Sequence, residues 1–267
     1  CIRDRRRRQR RSKLSSERKD KIIALLKSIE TGEVSAVQVV NETKYIQHNP
    51  QTKEGGEGLA ELFKRLSKSS PTVNVVRIFS DGDYVFGHME YDFGSPRVGF
   101  EVFRFEKEQA VEHWDNIQPR KGPNLSGHTM VDGDKIPREI ESTESNRALI
   151  RNMVNDVLIN SELGRLVDYV SESYIEHNPE LSDGISNLKC ELEKSLSHKK
   201  LGTCYEKLHR VLAEGNFVLS VCEGYKGSDH CSLYDLYRVE GGKIVEHWDT
   251  VEKVPPRSEW KNENGKF

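Results

Sequence analysis

Two short motifs occur twice in this chain at almost the same separation, and the repeat constrains the fold more than any other feature. The segment YIQHNP at Tyr45–Pro50 returns as YIEHNP at Tyr174–Pro179, with five of six positions identical. The segment EHWD at Glu112–Asp115 returns unchanged at Glu246–Asp249. The offsets, 129 and 134 residues, fall within the usual size of a whole domain. The chain is therefore predicted to contain one domain duplicated in tandem.

Composition and charge divide the rest of the chain. We predict a disordered basic tail over 1–16, a first copy over 17–119, a linker rich in Gly, Pro and charge over 120–144, a second copy over 145–255 and an extension over 256–267. An Arg-rich run is most often a solvated tail, because like charges repel. A nuclear-targeting or nucleic-acid arm and a basic processing site are the alternatives.

Several classes of protein are disfavoured. No apolar run approaches the roughly 18 residues that span a bilayer, so no membrane association is expected. Beyond the tail the chain is acidic, which argues against nucleic-acid binding because phosphate contacts need Lys and Arg. Four of the five cysteines lie in the second copy and none in the folded part of the first. A disulfide framework would be expected in both copies, so a reduced compartment is favoured. We expect a cytoplasmic protein, or a nuclear one if the tail is a targeting signal.

The periodicity changes once within each copy. Apolar residues at helical spacing come first, and runs with a period of two, rich in aromatic and β-branched residues, follow. We expect three helices and then four strands in each copy, with the second helix ending at the His-Asn-Pro motif. Helices followed by antiparallel strands indicate an α+β fold.

This order, with Tyr-x-x-His-Asn-Pro closing the second helix and Glu-His-Trp-Asp on the last strand, resembles the SnoaL-like polyketide cyclases. That family lies within the cone-shaped, nuclear-transport-factor-two-like superfamily, and the chain is most similar to the branch of predicted aldol-condensation enzymes. The similarity covers both copies and extends to Asn124–Gly133 (NLSGHTMVDG) and Asn262–Phe267 (NENGKF). The resemblance implies two cone-shaped α+β barrels, each with three helices packed into a curved, mostly antiparallel sheet.

Strand alternation singles out one carboxylate in each copy. Glu101 and Asp235 occupy equivalent places among apolar neighbours, where a charged group is seldom buried unless it is paired or functional. Each is a candidate acid/base whose pKa an apolar wall would raise. The alternative is an ion pair at a sheet edge. Both faces of these strands are apolar, so we also expect the sheets to pack in an internal pseudo-dimer, or in a homodimer between chains.

The repeated motifs supply the other candidates. His48 and His177 are candidate proton donors and acceptors, because histidine as a residue type can exchange a proton without a cofactor. The alternative is that each caps a helix. His and Asp two positions apart on the last strand point to one face as a base and its orienting group, or form a polar strand end. These pairs are His113 with Asp115 and His247 with Asp249. The resemblance further implies that cavity-lining residues surround the histidines: Tyr45, Asn49, Tyr174 and Asn178.

Aromatic and single-copy residues complete the set. Trp114 and Trp248 are candidate ligand contacts, although a Trp is more often part of a core. His88 has no counterpart, since Val221 aligns with it, and this favours the first copy as the specialised one. No His-x-x-x-His, phosphate loop or dinucleotide fingerprint occurs, so no metal and no cofactor are predicted.

These features predict a cofactor-independent acid/base enzyme that acts on a small apolar carbonyl compound, by aldol-type cyclisation or isomerisation. The alternative is a non-catalytic module on the same fold that binds a small molecule or a protein.

Overall fold

The computed structural model describes residues 2–197 and 202–267, and it confirms the α+β class with two copies. Each copy contains one five-stranded sheet. The helices are α1 (Ile2–Lys27), α2 (Gly55–Leu66), α3 (Thr143–Met153), α4 (Leu166–Tyr169) and α5 (Ile185–Ser197). The strands of the first sheet are β1 (Ile46–Gln47), β2 (Thr72–Asp81), β3 (Tyr84–Asp92), β4 (Pro96–Glu106) and β5 (Gln109–Pro119). Those of the second are β6 (Val170–Glu176), β7 (Thr203–Glu214), β8 (Phe217–Lys226), β9 (Asp229–Glu240) and β10 (Lys243–Lys253).

Each sheet has one more strand than the sequence indicated. The orders are β1-β5-β4-β3-β2 and β6-β10-β9-β8-β7, with β1 parallel to β5 and β6 parallel to β10. The extra strands contain the first part of the Tyr-x-x-His-Asn-Pro motif, which we had assigned to the end of a second helix. That assignment was wrong in both copies. In the first copy, Val34–Val39 form a 3-10 helix. The apolar residues of this segment are three apart, which matches the three residues per turn of such a helix.

The chain divides into two compact units whose boundaries do not follow the repeat. One unit comprises 1–96, 101–115 and 256–266, and the other comprises 97–100, 116–255 and residue 267. The predicted linker therefore belongs to the unit of the second copy, and most of the predicted extension belongs to the unit of the first. The predicted internal pseudo-dimer stays a prediction.

The basic stretch also differs from expectation. Helix α1 is continuous from Ile2 to Lys27 and includes residues that we predicted to be disordered. Arg and Lys are good helix formers, and neither Gly nor Pro occurs before Gly32. None of the described helices carries the long apolar stretch that crossing a membrane requires.

The second copy is built around a core between its helices and one face of its sheet. Ile150, Met153, Val157 and Leu166 are buried against β-strand residues such as Val218 and Leu233. Strands β9 and β10 pair antiparallel and place Asp249 opposite Asp235. A bulge between Ile244 and Glu246 shifts the register. Ile244 and His247 thereby reach the same face, although they are three residues apart.

Candidate active site in the second copy

A cavity of about 140 Å³ lies in the second copy, between its helices and the inner face of its sheet. Apolar side chains such as Leu166 and Leu192 line one part of it. Polar side chains on the sheet and directly after β6 line another part: Tyr174, Glu176, Asn178, Tyr205, Asp235, Tyr237, His247 and Asp249. A volume of this size accommodates a molecule close to benzene in bulk. The cavity therefore suits a compact ligand with one polar end.

His247 holds the centre of the polar wall between two carboxylates. Its Nε2 lies 2.9 Å from Asp235 Oδ1, and its Nδ1 lies 3.0 Å from Glu176 Oε1. Burial lowers the pKa of His247, but Glu176 and Asp235 outweigh burial and raise that pKa well above its usual value. The ring is therefore an imidazolium that donates to both carboxylates. Burial raises the pKa of Glu176, yet His247 and the Tyr174 hydroxyl bring it below its usual value.

Asp235 keeps one oxygen unused. Its Oδ1 accepts from His247 and, at 3.0 Å, from the Tyr205 hydroxyl. Its Oδ2 has no hydrogen-bond partner among the described residues, although Asp235 is only 1% exposed. A buried acceptor without a partner costs about 1–3 kcal/mol. Because Asp235 borders the cavity, this oxygen is available to a ligand there.

Asp249 is the second carboxyl of the cavity wall and has a different environment. Its Oδ2 accepts from Asn178 Nδ2 at 2.7 Å. Burial raises the pKa of Asp249 to about 7, opposed by His247 and reinforced by the negative charges of Glu176 and Asp235. At neutral pH this carboxyl is therefore protonated in about half of the molecules, so it can donate a hydrogen bond.

The tyrosines of the cavity remain protonated. Burial, reinforced by nearby carboxylates, raises the pKa of Tyr174, Tyr205 and Tyr237 well above its usual value. The Tyr174 hydroxyl donates to Glu176 Oε2 at 2.6 Å. These rings therefore act as hydrogen-bond donors and give the cavity its shape.

His177 and Trp248 belong to a separate polar cluster and do not line the cavity. Their rings stack with centroids 4.7 Å apart. His177 Nε2 lies 2.8 Å from Glu246 Oε1, and Arg238 Nε donates to the same carboxylate at 2.6 Å. Strand alternation explains the separation, since Glu246 and Trp248 point away from the face that carries His247 and Asp249.

The segment 124–133 packs against this cluster. His177 Nδ1 lies 2.8 Å from the Thr129 carbonyl oxygen, and Trp248 Nε1 donates to the Asp132 carbonyl at 2.9 Å. Asn124 Nδ2 donates to the Glu176 carbonyl at 2.6 Å. This part of the predicted linker is therefore an integral component of the second copy.

The equivalent group in the first copy has no unused carboxylate oxygen on Glu101. Tyr91 donates to Glu101 Oε1, and His113 Nε2 lies near Oε2, both at 2.6 Å. Burial raises the pKa of Glu101, opposed by His113. His113 Nδ1 lies 2.8 Å from Gln47 Oε1, where the second copy has Glu176. The first copy thus replaces one charged partner of the histidine with a neutral amide.

A lysine occupies the first copy beside the counterpart of Asp249. Lys266 is 2% exposed, and its Nζ lies 2.8 Å from the Asp115 carbonyl and 3.2 Å from Asp115 Oδ1. Asn49 Nδ2 donates to Asp115 Oδ2 at 2.6 Å. Burial raises the pKa of Asp115, but the Lys266 and His113 charges bring it below its usual value. The two aspartates of the repeated motif therefore have opposite pKa shifts.

The remaining first-copy candidates lie in packed surroundings. His48 stacks on Trp114 at 4.7 Å and contacts Glu112 Oε1 at 2.9 Å through Nε2. Its Nδ1 lies 2.8 Å from the Gly265 carbonyl. Tyr45 is buried, and burial raises the pKa of its hydroxyl well above the usual value. His88 is buried and accepts at Nδ1 from Arg77 Nη1 at 2.8 Å.

Sequence reasoning missed six residues of these two groups: Gln47, Tyr91, Glu176, Tyr205, Tyr237 and Lys266. Glu176 is the only position at which the two His-Asn-Pro motifs differ, and that difference was the available signal. Tyr205 and Tyr237 lie on strands whose inner face the sequence could not identify. Lys266 gave no signal, because 151 residues separate it from Asp115.

Two groups of side chains in the described part of the chain have donor atoms close enough to hold a metal ion. Glu101, His113 and Asp115 form one, and their donor atoms lie within 4.8 Å of one another. Lys266 already supplies a cation to that group. His128, Asp132 and His177 form the other.

No family model and no curated protein match the chain. Solved structures do. A candidate ketosteroid isomerase from Kribbella flavida has 17% identity and a TM-score of 0.36, covering 43% of this chain and 84% of its own. An ntf2-like protein of unknown function from Mesorhizobium loti has 19% identity and a TM-score of 0.36, covering 42% and 93%. A candidate polyketide cyclase from Acidithiobacillus ferrooxidans has 13% identity and a TM-score of 0.33, covering 40% and 87%. Each of these three matches covers 40–43% of this chain.

Proposed function

We propose that the second copy is a cofactor-independent acid/base catalyst. It removes a proton adjacent to the carbonyl group of a small, largely apolar compound, and the resulting enolate undergoes aldol-type ring closure or isomerisation. The observation that carries the proposal is the pair Asp235 and Asp249, which are opposite each other in the β9–β10 ladder and border one cavity.

The two carboxyl groups suit complementary roles. Asp235 Oδ2 has no hydrogen-bond partner in the described part of the chain, and the charged His247 ring and the Tyr205 hydroxyl hold the other oxygen in place. Asp235 is therefore the base that takes the proton. Asp249, with its pKa raised to about 7, donates a hydrogen bond to the carbonyl oxygen as negative charge develops there. A carboxyl that stays neutral in an apolar site can act in this way.

His247 is a positioning residue in this scheme. Its two nitrogens join Asp235 to Glu176 and hold both carboxylates in place. The proton that Asp235 accepts returns to the substrate at another carbon in an isomerisation. In an aldol closure the enolate carbon attacks a second carbonyl, and the proton passes to the new alkoxide. Atoms and electrons balance without a cofactor in both cases.

The cavity limits the substrate class. At about 140 Å³ it lies below the roughly 300–1,000 Å³ of sites for drug-sized ligands. A compact ketone or a short dicarbonyl compound fits this volume, whereas a fused polycyclic chain does not. The first copy does not share the proposed activity, because both Glu101 oxygens are bonded and Lys266 neutralises Asp115.

Hydrogen–deuterium exchange tests the proposal without knowledge of the natural substrate. Cyclopentanone and similar small ketones are incubated with the protein in D₂O, and α-proton loss is followed by NMR. Asp235→Asn should reduce the catalysed exchange by about 10²–10⁴-fold, whereas the matched Glu101→Gln should leave it unchanged. Exchange with wild type no faster than without protein would instead favour a non-catalytic binding module, and equal catalysed exchange in wild type and Asp235→Asn would exclude Asp235 as the base.

A further inference from the structure

We propose that His128, Asp132 and His177 form a binding site for a divalent transition-metal ion of the Zn²⁺ type. The site lies on the opposite side of β10 from the cavity and is independent of the proposed catalysis. The donor atoms of the three side chains lie within 4.8 Å of one another. Two imidazoles and one carboxylate are a ligand set that Zn²⁺ and related ions accept.

Both histidines are already oriented as metal ligands usually are. A histidine that binds a metal through one nitrogen commonly donates its other N–H to a carboxylate, which fixes the ring. His128 Nε2 lies 3.0 Å from Asp183 Oδ2, and His177 Nε2 lies 2.8 Å from Glu246 Oε1. Arg238 in turn holds Glu246. The other nitrogen of each ring is Nδ1, and in His177 a metal ion there would take the place of the contact with the Thr129 carbonyl oxygen.

The Asp132 carboxylate lies beside the His177 nitrogen with which it would coordinate the metal ion. Asp132 Oδ1 lies 2.7 Å from His177 Nδ1, and the two histidine rings lie 5.2 Å apart between centroids. The Thr129 carbonyl also lies 2.8 Å from His177 Nδ1. The His177 nitrogen and the Asp132 oxygen are therefore placed to bind one ion together.

The first copy shows that the site is an addition to the fold. His48 stacks on the equivalent tryptophan and contacts the equivalent glutamate of its own copy, and its Nδ1 also lies close to a carbonyl oxygen. The segment that approaches it, Asn262–Lys266, contains neither His nor Asp. The second copy alone supplies His128 and Asp132, through the spacing His-x-x-x-Asp. The prediction that no metal binds rested on the absence of His-x-x-x-His, a different spacing.

Another cluster in the second copy provides a control. Glu223 lies between His209 and His230, with its two oxygens 2.8 Å from the two Nε2 atoms. Its carboxylate thus separates the histidines, so we expect no comparable metal affinity there. Loss of binding on substitution of His230 would identify that cluster, and not ours, as the site.

Zn²⁺ titration against a chromophoric chelator tests the proposal, with Co²⁺ absorption as a second measure of the ligand set. Wild type should bind one equivalent and gain thermal stability when Zn²⁺ is added. His128→Ala and Asp132→Asn should each weaken binding by more than about 100-fold, and Asp183→Asn by about 10-fold. His230→Ala should leave it unchanged. His128 is partly exposed, so His128→Ala should fold, which circular dichroism checks. Absence of binding by wild type, or equal binding by wild type and His128→Ala, would overturn the proposal.

Discussion

Asp235 and Asp249 are cross-strand partners in β9 and β10, and both border the cavity of the second copy. One carboxyl has an oxygen without a protein partner, whereas the other has its pKa raised to about 7. Two carboxyl groups in different environments are the usual means by which one site provides a base and an acid at the same pH. The predictions below test this relationship and its counterpart in the first copy.

The first prediction concerns the pH dependence of catalysis. If Asp249 donates a hydrogen bond from its protonated form, the rate of ketone exchange should fall as pH rises through about 7. Asp249→Asn should be less active and should lose this alkaline decline, because an amide does not ionise. Exchange rates measured from pH 5 to 9 check both statements. A decline that persists unchanged in Asp249→Asn would assign it to another group.

The second prediction concerns stability. Burial raises the pKa of Asp249 above its ordinary value of 3.8, so the folded state holds the proton more tightly than the unfolded chain. As pH rises from 4 to 7, this residue therefore lowers the free energy of unfolding progressively. Relative to wild type, Asp249→Asn should gain about 3 kcal/mol over that interval. Urea unfolding at pH 4.5 and 8 measures the gain.

Asp115→Asn is the matched control and should behave in the opposite way. Lys266 and His113 hold the pKa of Asp115 below its usual value. That carboxylate contributes stability above its unfolded pKa, and the contribution is lost as pH falls through the folded pKa. Asp115→Asn should therefore be destabilising at pH 8 and less so at low pH. The same pH response in both variants would show that the two sites do not differ as described.

The third prediction concerns the buried ion pair of the first copy. Lys266→Met leaves Asp115 as a buried carboxylate without its cation and should cost about 3–5 kcal/mol at pH 8. The double variant Lys266→Met, Asp115→Asn should recover much of that loss. A double-mutant cycle on the free energy of unfolding gives the coupling. A coupling near zero would mean that Lys266 does not neutralise Asp115. Ketone exchange should be unaffected in all of these variants.

The fourth prediction concerns Gly133, the last residue of the segment 124–133 that packs on His177 and Trp248. Its φ is +87°, and an added Cβ would overlap Glu246 Oε1 and lie 2.8 Å from Trp248 Cζ2. Gly127 has the same φ but no atom within 4 Å of such a Cβ. Gly133→Ala should therefore destabilise the protein by about 1–3 kcal/mol more than Gly127→Ala. Equal losses of stability in the two variants would mean that the positive φ alone causes the destabilisation.

Several features of the fold were readable from the sequence because they depend on local pattern. The repeat of the His-Asn-Pro and Glu-His-Trp-Asp motifs gave the duplication. The period of two gave the four strands β2 to β5 of the first copy and the four strands β7 to β10 of the second. Alternation also separated His247 and Asp249 from Glu246 and Trp248, although it could not identify the inner face. The parallel strands β1 and β6 were missed, because the two residues of β1 are too few to show a period.

The sequence by itself determined which ionisable residues recur in the two copies. Only the tertiary structure decided that equivalent aspartates differ in charge state. Asp115 meets an ammonium group from a segment 151 residues away, whereas Asp249 borders an open cavity. The pKa of a carboxyl depends on its solvation and on charges within a few ångströms. Neither quantity follows from sequence spacing, since the chain brings remote segments to these positions.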